Sequence, residues 1–140
     1  APAERANQIL DYLHQSGVAE PFPSMTIYPP IYPGDADWRD HFLWRNLNLP
    51  HHYQNGGIWP YTGGFHVAAL AHAGRKAEAQ RVLERLVAAC LGDAAAPFPE
   101  WVHGKTGRSM GEIDQAWSAS NLLYAIEAVE RGNAQFFDAR

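Results

Sequence analysis

Residues 64–91, GFHVAALAHAGRKAEAQRVLERLVAACL, decide the fold. The first ten, 64–73, have almost no polar face; only His66 and His72 interrupt it. That is the pattern of a helix buried nearly all round. Gly74 ends it, as a glycine does just past a helix C-terminus. Residues 76–91 then change character. Val82, Leu83, Leu86, Val87 and Cys90 form an apolar stripe, while Lys76, Glu78, Arg81, Glu84 and Arg85 form a charged face. An enclosed helix joined by a tight turn to a one-faced helix predicts an inner and an outer layer.

The same alternation runs along the rest of the chain. Residues 3–15 place Ala6, Ile9, Leu10 and Leu13 on one face, and Gly17 is a plausible terminator. Residues 114–130, DQAWSASNLLYAIEAVE, are apolar around much of the circumference, with Asp114 expected as the N-cap and Gly132 as the stop. The order is amphipathic, buried, amphipathic, buried, which predicts an all-α architecture of outer and inner helix pairs. Long segments, 17–62 and 92–113, lead into the two inner helices. Both are rich in Trp, Tyr, His, Pro and Gly. The unusual chemistry is therefore expected on one rim, at the N-terminal ends of the inner helices, where free N–H groups and the helix dipole suit polar ligands. Met25–Tyr28 (MTIY) reads as a short strand with no evident partner.

Composition narrows the function classes. The 140 residues, 46% hydrophobic and 19% charged, are enough to bury a core of their own. A net charge of −4 argues against an electrostatic nucleic-acid partner. The single cysteine, Cys90, excludes an internal disulfide framework and a Cys-rich zinc module. No run of about 18 apolar residues is present, so no membrane span is expected. The leading APAERANQ lacks the features of a signal peptide, which predicts a cytoplasmic protein.

Three segments carry candidate chemistry. The densest is residues 51–64, HHYQNGGIWPYTGG. Amide side chains donate to and accept from hydroxyls at once, aromatic faces pack on the C–H faces of sugar rings, and glycines let the backbone approach a ligand. Tyr53, Gln54, Asn55, Gly56, Gly57 and Trp59 are the candidates for carbohydrate binding. The competing reading is a turn with a buried aromatic cluster. The second segment is residues 98–107, FPEWVHGKTG, in which Glu100 lies between Pro99 and Trp101 in apolar surroundings. Such a setting suits a carboxyl group to proton transfer. Its alternative is a solvated loop glutamate paired with Lys105. The third is Gln115-Ala116-Trp117-Ser118 at the start of the last inner helix. Gln115 and Trp117 can line a site, or Trp117 is simply core.

No cofactor is required by these residues. His51, His52 and His103 lack recognised ligand spacing, and His66 and His72 fall off one helix face, so no metal is expected. Ser118 and Ser120 have no nucleophile-elbow context, and Cys90 lies on an amphipathic stripe. The acidic run 35–40, DADWRD, reads as a solvated turn with a helix cap.

Taken together, MTIYPPIYPGDADWR, LPHHYQNGGIWP, FPEWVHGKTGRSMG and QAWSASNLLYA resemble the C-terminal part of glycoside hydrolases built as (α/α)6 toroids. The resemblance is nearest to the alkaline/neutral invertase family (family 100), with glucosidase family 63 and the amylo-α-1,6-glucosidase-like proteins behind it. The invertase pattern is a Tyr-Pro segment, then Y-H-N-G-G-x-W-P, then W-P-E-Y-Y-D-G-K-x-G, then Q-x-W-[ST]. Order and spacing are kept over residues 25 to 130.

What the resemblance implies is a glycosidase that hydrolyses O-glycosidic bonds with inversion. Glu100 matches the general base. Tyr53, Asn55, Gly56, Gly57 and Trp59 match the sugar-binding motif, and Gln115 and Trp117 the final one. Gln54 stands where the invertases have His. Trp101, Val102 and His103 stand in place of Tyr-Tyr-Asp, and Phe98 in place of Trp. Trp101 and His103 are carried as substrate-binding candidates at those changed positions. These departures leave the sugar and the linkage open. The resemblance also puts the general acid upstream of anything in this chain, and a complete toroid needs roughly 350–450 residues, above the commonest domain size. Residues 1–140 are thus expected to be the C-terminal portion of a catalytic domain. They would associate with the remainder of that domain or with a second copy. A non-catalytic carbohydrate-binding or regulatory module is the alternative.

Overall fold

The computed structural model describes residues 2–134. Four α-helices dominate it: α1 (Ala3–Ser16), α2 (Pro60–His72), α3 (Lys76–Leu91) and α4 (Ala116–Arg131). A kinked 3₁₀ segment, Asp40–Asn46, interrupts the first long connection. Two two-residue strands, β1 (Trp101–Val102) and β2 (Ser109–Met110), form a small antiparallel hairpin within the second. The chain is all-α, as its periodicity predicts. No helix among the described residues is long and apolar enough to cross a membrane.

Helix boundaries follow local chemistry. Pro60 opens α2 at a position where its missing N–H costs nothing. The helix therefore begins earlier than the apolar run suggests and includes Gly63 and Gly64, both buried. Gly17 and Gly132 sit in the left-handed region and close α1 and α4. Asp114 is not the cap of α4. It has φ +57, and its N–H donates to the Pro97 carbonyl at 3.0 Å, while Gln115 takes the cap position without a side-chain cap bond. Docking to the 97–98 segment has displaced the capping geometry expected there.

Helix α2 is central and packs against both α3 and α4. Val67, Leu83, Leu86, Cys90, Leu122 and Ala125 form one core cluster between these three helices. A second joins Leu10 of α1 to Ala68, Leu70, Ala71, Ala79 and Ala128. Arg75 ties the ends of the layers together, with Nη1 at 2.7 Å from Asp11 of α1 and Nη2 at 2.7 Å from Glu78 of α3. The outer helix α1 buries less than its pattern suggests: only Leu10 is enclosed, and Ile9 and Tyr12 are exposed. Helix α4 likewise covers one face only. Leu123 remains 68% exposed and Trp117 46%, and Phe65 of α2, whose ring meets Tyr124, is also exposed.

The expected strand at Met25–Tyr28 does not form: residues 26–29 are bends, and Met25 alone pairs. Met25 bridges Ile58, Ile58 bridges Val102, and Val102 pairs with Ser109. A narrow ladder thus runs across three segments far apart in sequence. Ile58, Val102 and Ala89 of α3 pack together beneath it.

Candidate functional site

The ladder is what assembles the site. Ile58 N–H donates to Val102 O at 2.9 Å, and Val102 N–H returns the bond to Ile58 O at 2.7 Å. The motif 51–59 is thereby fixed beside the hairpin that follows Glu100. Gly104 N–H donates to His51 O at 2.8 Å and adds a second tie. The start of α4 is stitched to the same place by three bonds. Asp114 N–H reaches Pro97 O, Gln115 N–H reaches Phe98 O at 2.9 Å, and the fully buried Ser118 hydroxyl donates to Pro99 O at 2.9 Å. The residue before Glu100 is thus pinned to the helix that carries Trp117.

Glu100 itself is half-buried. Its N–H donates to Glu112 O at 2.7 Å, and Glu112 N–H approaches Glu100 Oε2 at 3.4 Å. Gly111 makes room for the carboxylate. It has φ +72, and a Cβ placed there would lie 2.5 Å from Glu100 Oε2. Burial first, then the negative charge of nearby Glu100, hold the Tyr53 phenol above its ordinary range.

The other residues singled out by sequence divide into two groups. Asn55 is 1% exposed, and its amide is fully engaged by backbone. Oδ1 accepts from Ile31 N–H at 2.8 Å, and Nδ2 donates to Ile31 O at 2.8 Å and Asn48 O at 3.1 Å. It clamps the 31 and 48 loops. Trp59 is 7% and Trp101 4% exposed, so neither offers a face to a sugar ring in this chain. They form a wall around Tyr53, whose ring lies 5.0 Å from Trp59 and 5.9 Å from Trp101. Gly56 and Gly57 are buried too. A Cβ on Gly56 would lie 2.6 Å from Pro30 Cγ, and one on Gly57 would collide with the Tyr53 backbone. These glycines let the loop close on itself. The accessible group is Glu100, Tyr53, Gln54, His103, Gln115 and Trp117, all half-buried or exposed.

The histidines form a second cluster one ring away. The His52 ring is 5.9 Å from Trp101 and 4.6 Å from His103, which stacks near His51 at 6.1 Å. His103 Nδ1 accepts from Lys105 N–H at 3.1 Å and Thr106 N–H at 3.2 Å, which puts its proton on Nε2. Burial first, then the neighbouring His52 and His51, hold His103 below the ordinary imidazole range. Burial, Lys105 and His52 do the same to His51. Among the described residues no group of three His, Cys, Asp or Glu side chains is arranged to hold a metal ion. Cys90 is enclosed, and burial pushes its thiol up to about 12, so it stays protonated.

Sequence reasoning missed Ser118 as a positioning residue and Gly111 as the space-giver for Glu100. A buried hydroxyl that bonds a remote proline carbonyl, as Ser118 does, leaves no local signature in the sequence. Gly111 is legible only once the hairpin register is known.

Comparison with known proteins places the chain. No curated protein matches it. The sequence profile described as alkaline and neutral invertase matches residues 2–131. It supports the invertase resemblance and adds nothing for family 63 or the amylo-α-1,6-glucosidase-like proteins. With nearly all of its length inside that match, the chain belongs to the alkaline and neutral invertase family of glycoside hydrolases.

Proposed function

We propose that this chain is the base-bearing part of an inverting glycosidase, with Glu100 taking the proton of the attacking water. Water adds to the anomeric carbon as the glycosidic bond breaks, its proton passes to the Glu100 carboxylate, and the leaving oxygen is protonated by an acid on the opposite side of the sugar. The observation that carries this reading is the convergence on one half-buried carboxylate. The 51–59 motif is bonded to Val102 and Gly104, and the start of α4 to residues 97–99, so both are anchored to the chain on either side of Glu100. Gln54, His103, Gln115 and Trp117 would contact the substrate, an oligosaccharide or glucoside. The chemistry asks for no cofactor.

The acid comes from the rest of the catalytic domain. The exposed Phe65 and Leu123, on the two helices read as inner, support a covering partner there. Burying apolar side chains of this size stabilises by roughly 1.5–3 kcal/mol each, enough to drive association. Without the remainder of the domain, the same face would pair with a second copy.

The whole protein should be incubated with a panel of glucosides and oligosaccharides, and the first product followed by proton NMR. Release of sugar with inverted anomeric configuration is expected. Retained configuration would reject single displacement by a water that Glu100 activates. Saccharide binding without any release would favour the non-catalytic module.

A further inference from the structure

We propose that Tyr32 and His103, set around His51, form a subsite for a sugar ring beyond the one at which Glu100 acts. The substrate is then an oligosaccharide and not a glucoside with a small aglycone. This rests on the proposed role of Glu100, but binding at the subsite is testable without it.

Three observations carry the inference. First, Tyr32 is a fixed ring with open surface. Its N–H donates to Asp35 Oδ2 at 2.7 Å, and the preceding Ile31 is clamped by the Asn55 amide. Its hydroxyl lies 2.9 Å from His51 Nε2, and the two rings meet at 79° without stacking. The residue nevertheless stays 47% exposed. An aromatic ring held in place covers the C–H face of a sugar with little conformational freedom left to lose.

Second, the proton positions supply donors beside that ring. His51 Nδ1 is buried and has no hydrogen-bond partner among the described residues. An orphaned buried N–H is the rarer and costlier state, so Nδ1 keeps a lone pair and Nε2 carries the proton. His51 then donates to the Tyr32 oxygen, and the Tyr32 hydroxyl proton is left to donate to a ligand. His103 stacks near His51 at 6.1 Å, and its Nδ1 is taken by the Lys105 and Thr106 N–H groups, which leaves Nε2–H as a second donor. One aromatic face and two donors match a sugar ring, with its apolar face and its hydroxyl oxygens.

Third, the group is rigidly attached to the site yet set apart from Glu100. His51 sits at φ +68, and its carbonyl accepts from Gly104 N–H at 2.8 Å. A Cβ on Gly104 would collide with Gly56 O, so the turn after His103 is pressed on the 51–59 motif. His103 follows Glu100 by three residues of extended chain, about 10 Å at the usual strand rise. The His52 ring occupies that interval, 5.9 Å from Trp101 and 4.6 Å from His103. The interval is longer than one sugar ring, which places a neighbouring ring at Tyr32 and His103.

The test compares Tyr32→Ala with wild type in the whole protein, on methyl glucosides and on di-, tri- and tetrasaccharides. Covering a half-open aromatic ring is worth about half of its full burial, so KM for the oligosaccharides should rise roughly five- to tenfold, with kcat within about twofold. Methyl glucosides should show no such rise. Equal effects on both classes, or none on either, would overturn the inference. Tyr32→Phe keeps the ring and should recover most of the loss. Binding is read separately in Glu100→Gln labelled with ring-¹³C tyrosine, with the Tyr32 signal assigned by its loss in Tyr32→Ala. That signal should shift on titration with the oligosaccharides and not with methyl glucosides. An unmoved signal would refute the subsite. A shift in a protein whose wild type hydrolyses no glycoside would refute the proposed function and leave the subsite standing.

Discussion

Lowering the pH from 7 to 4.5 is expected to cost the folded chain ~2.4 kcal/mol through His66 alone. His66 lies on α2 with 8% of its surface exposed, and Nδ1 is 3.0 Å from the Ser24 hydroxyl. Burial pushes its imidazole from 6.5 down to about 4; Arg75 adds to the depression and Glu78 partly opposes it. The folded chain therefore resists the proton that the unfolded chain accepts. Above pH 6.5 both states hold a neutral ring and His66 contributes no pH dependence. Below it, stability falls by about 1.4 kcal/mol per pH unit and levels off once the folded state also protonates, near pH 4. The assay is urea unfolding at several pH values on the wild type and on His66→Gln, which keeps a polar partner for Ser24. His51, His103 and Glu78 also titrate with lowered values, but they do so in both proteins and cancel in the difference. The wild type should lose ~2.4 kcal/mol more than the variant over this interval. Parallel pH dependence in the two proteins would refute the argument that burial sets the charge state of His66.

Other consequences can be checked in the same preparations. Asn55→Ala should destabilise by about 2–4 kcal/mol in chemical denaturation, because it removes three buried bonds and strands the Ile31 N–H. A loss below about 0.5 kcal/mol would mean the clamp is not structural. Ser118→Ala should cost about 1–2 kcal/mol and lower kcat more than it raises KM, since Pro99 and hence Glu100 lose their anchor on α4. Gly111→Ala should lose activity beyond its stability cost, as its Cβ would press on the Glu100 carboxylate. The 140-residue chain alone should sediment as a dimer or larger, and Leu123→Glu should shift it toward monomer.

Much of this was legible in the sequence because helix burial leaves a periodic trace. The contrast between residues 64–73 and 76–91 gave the layering of α2 and α3. It failed where burial was incomplete: Ile9 and Leu123 are apolar and fit a core, yet they face outward. It failed again at two-residue strands, since Trp101–Val102 and Ser109–Met110 are too short for any alternation to register. The site was legible as a set of residue types and less so as a set of roles. Asn55, Trp59 and Trp101 have the chemistry of sugar recognition, but a side chain's type does not reveal whether backbone has already engaged it. Here Asn55 is taken by Ile31 and Asn48, and the two tryptophans by each other's neighbourhood around Tyr53. Glu100 stands out in the sequence because its apolar flanks and its place in the invertase-like pattern agree.

The most direct test is glycoside hydrolysis by Glu100→Gln in the whole protein, with folding verified by an unchanged denaturation midpoint. The isosteric amide keeps the packing but cannot accept the water's proton, so kcat should fall by at least ~100-fold. Near-normal hydrolysis by that variant would contradict the assignment of Glu100 as the base.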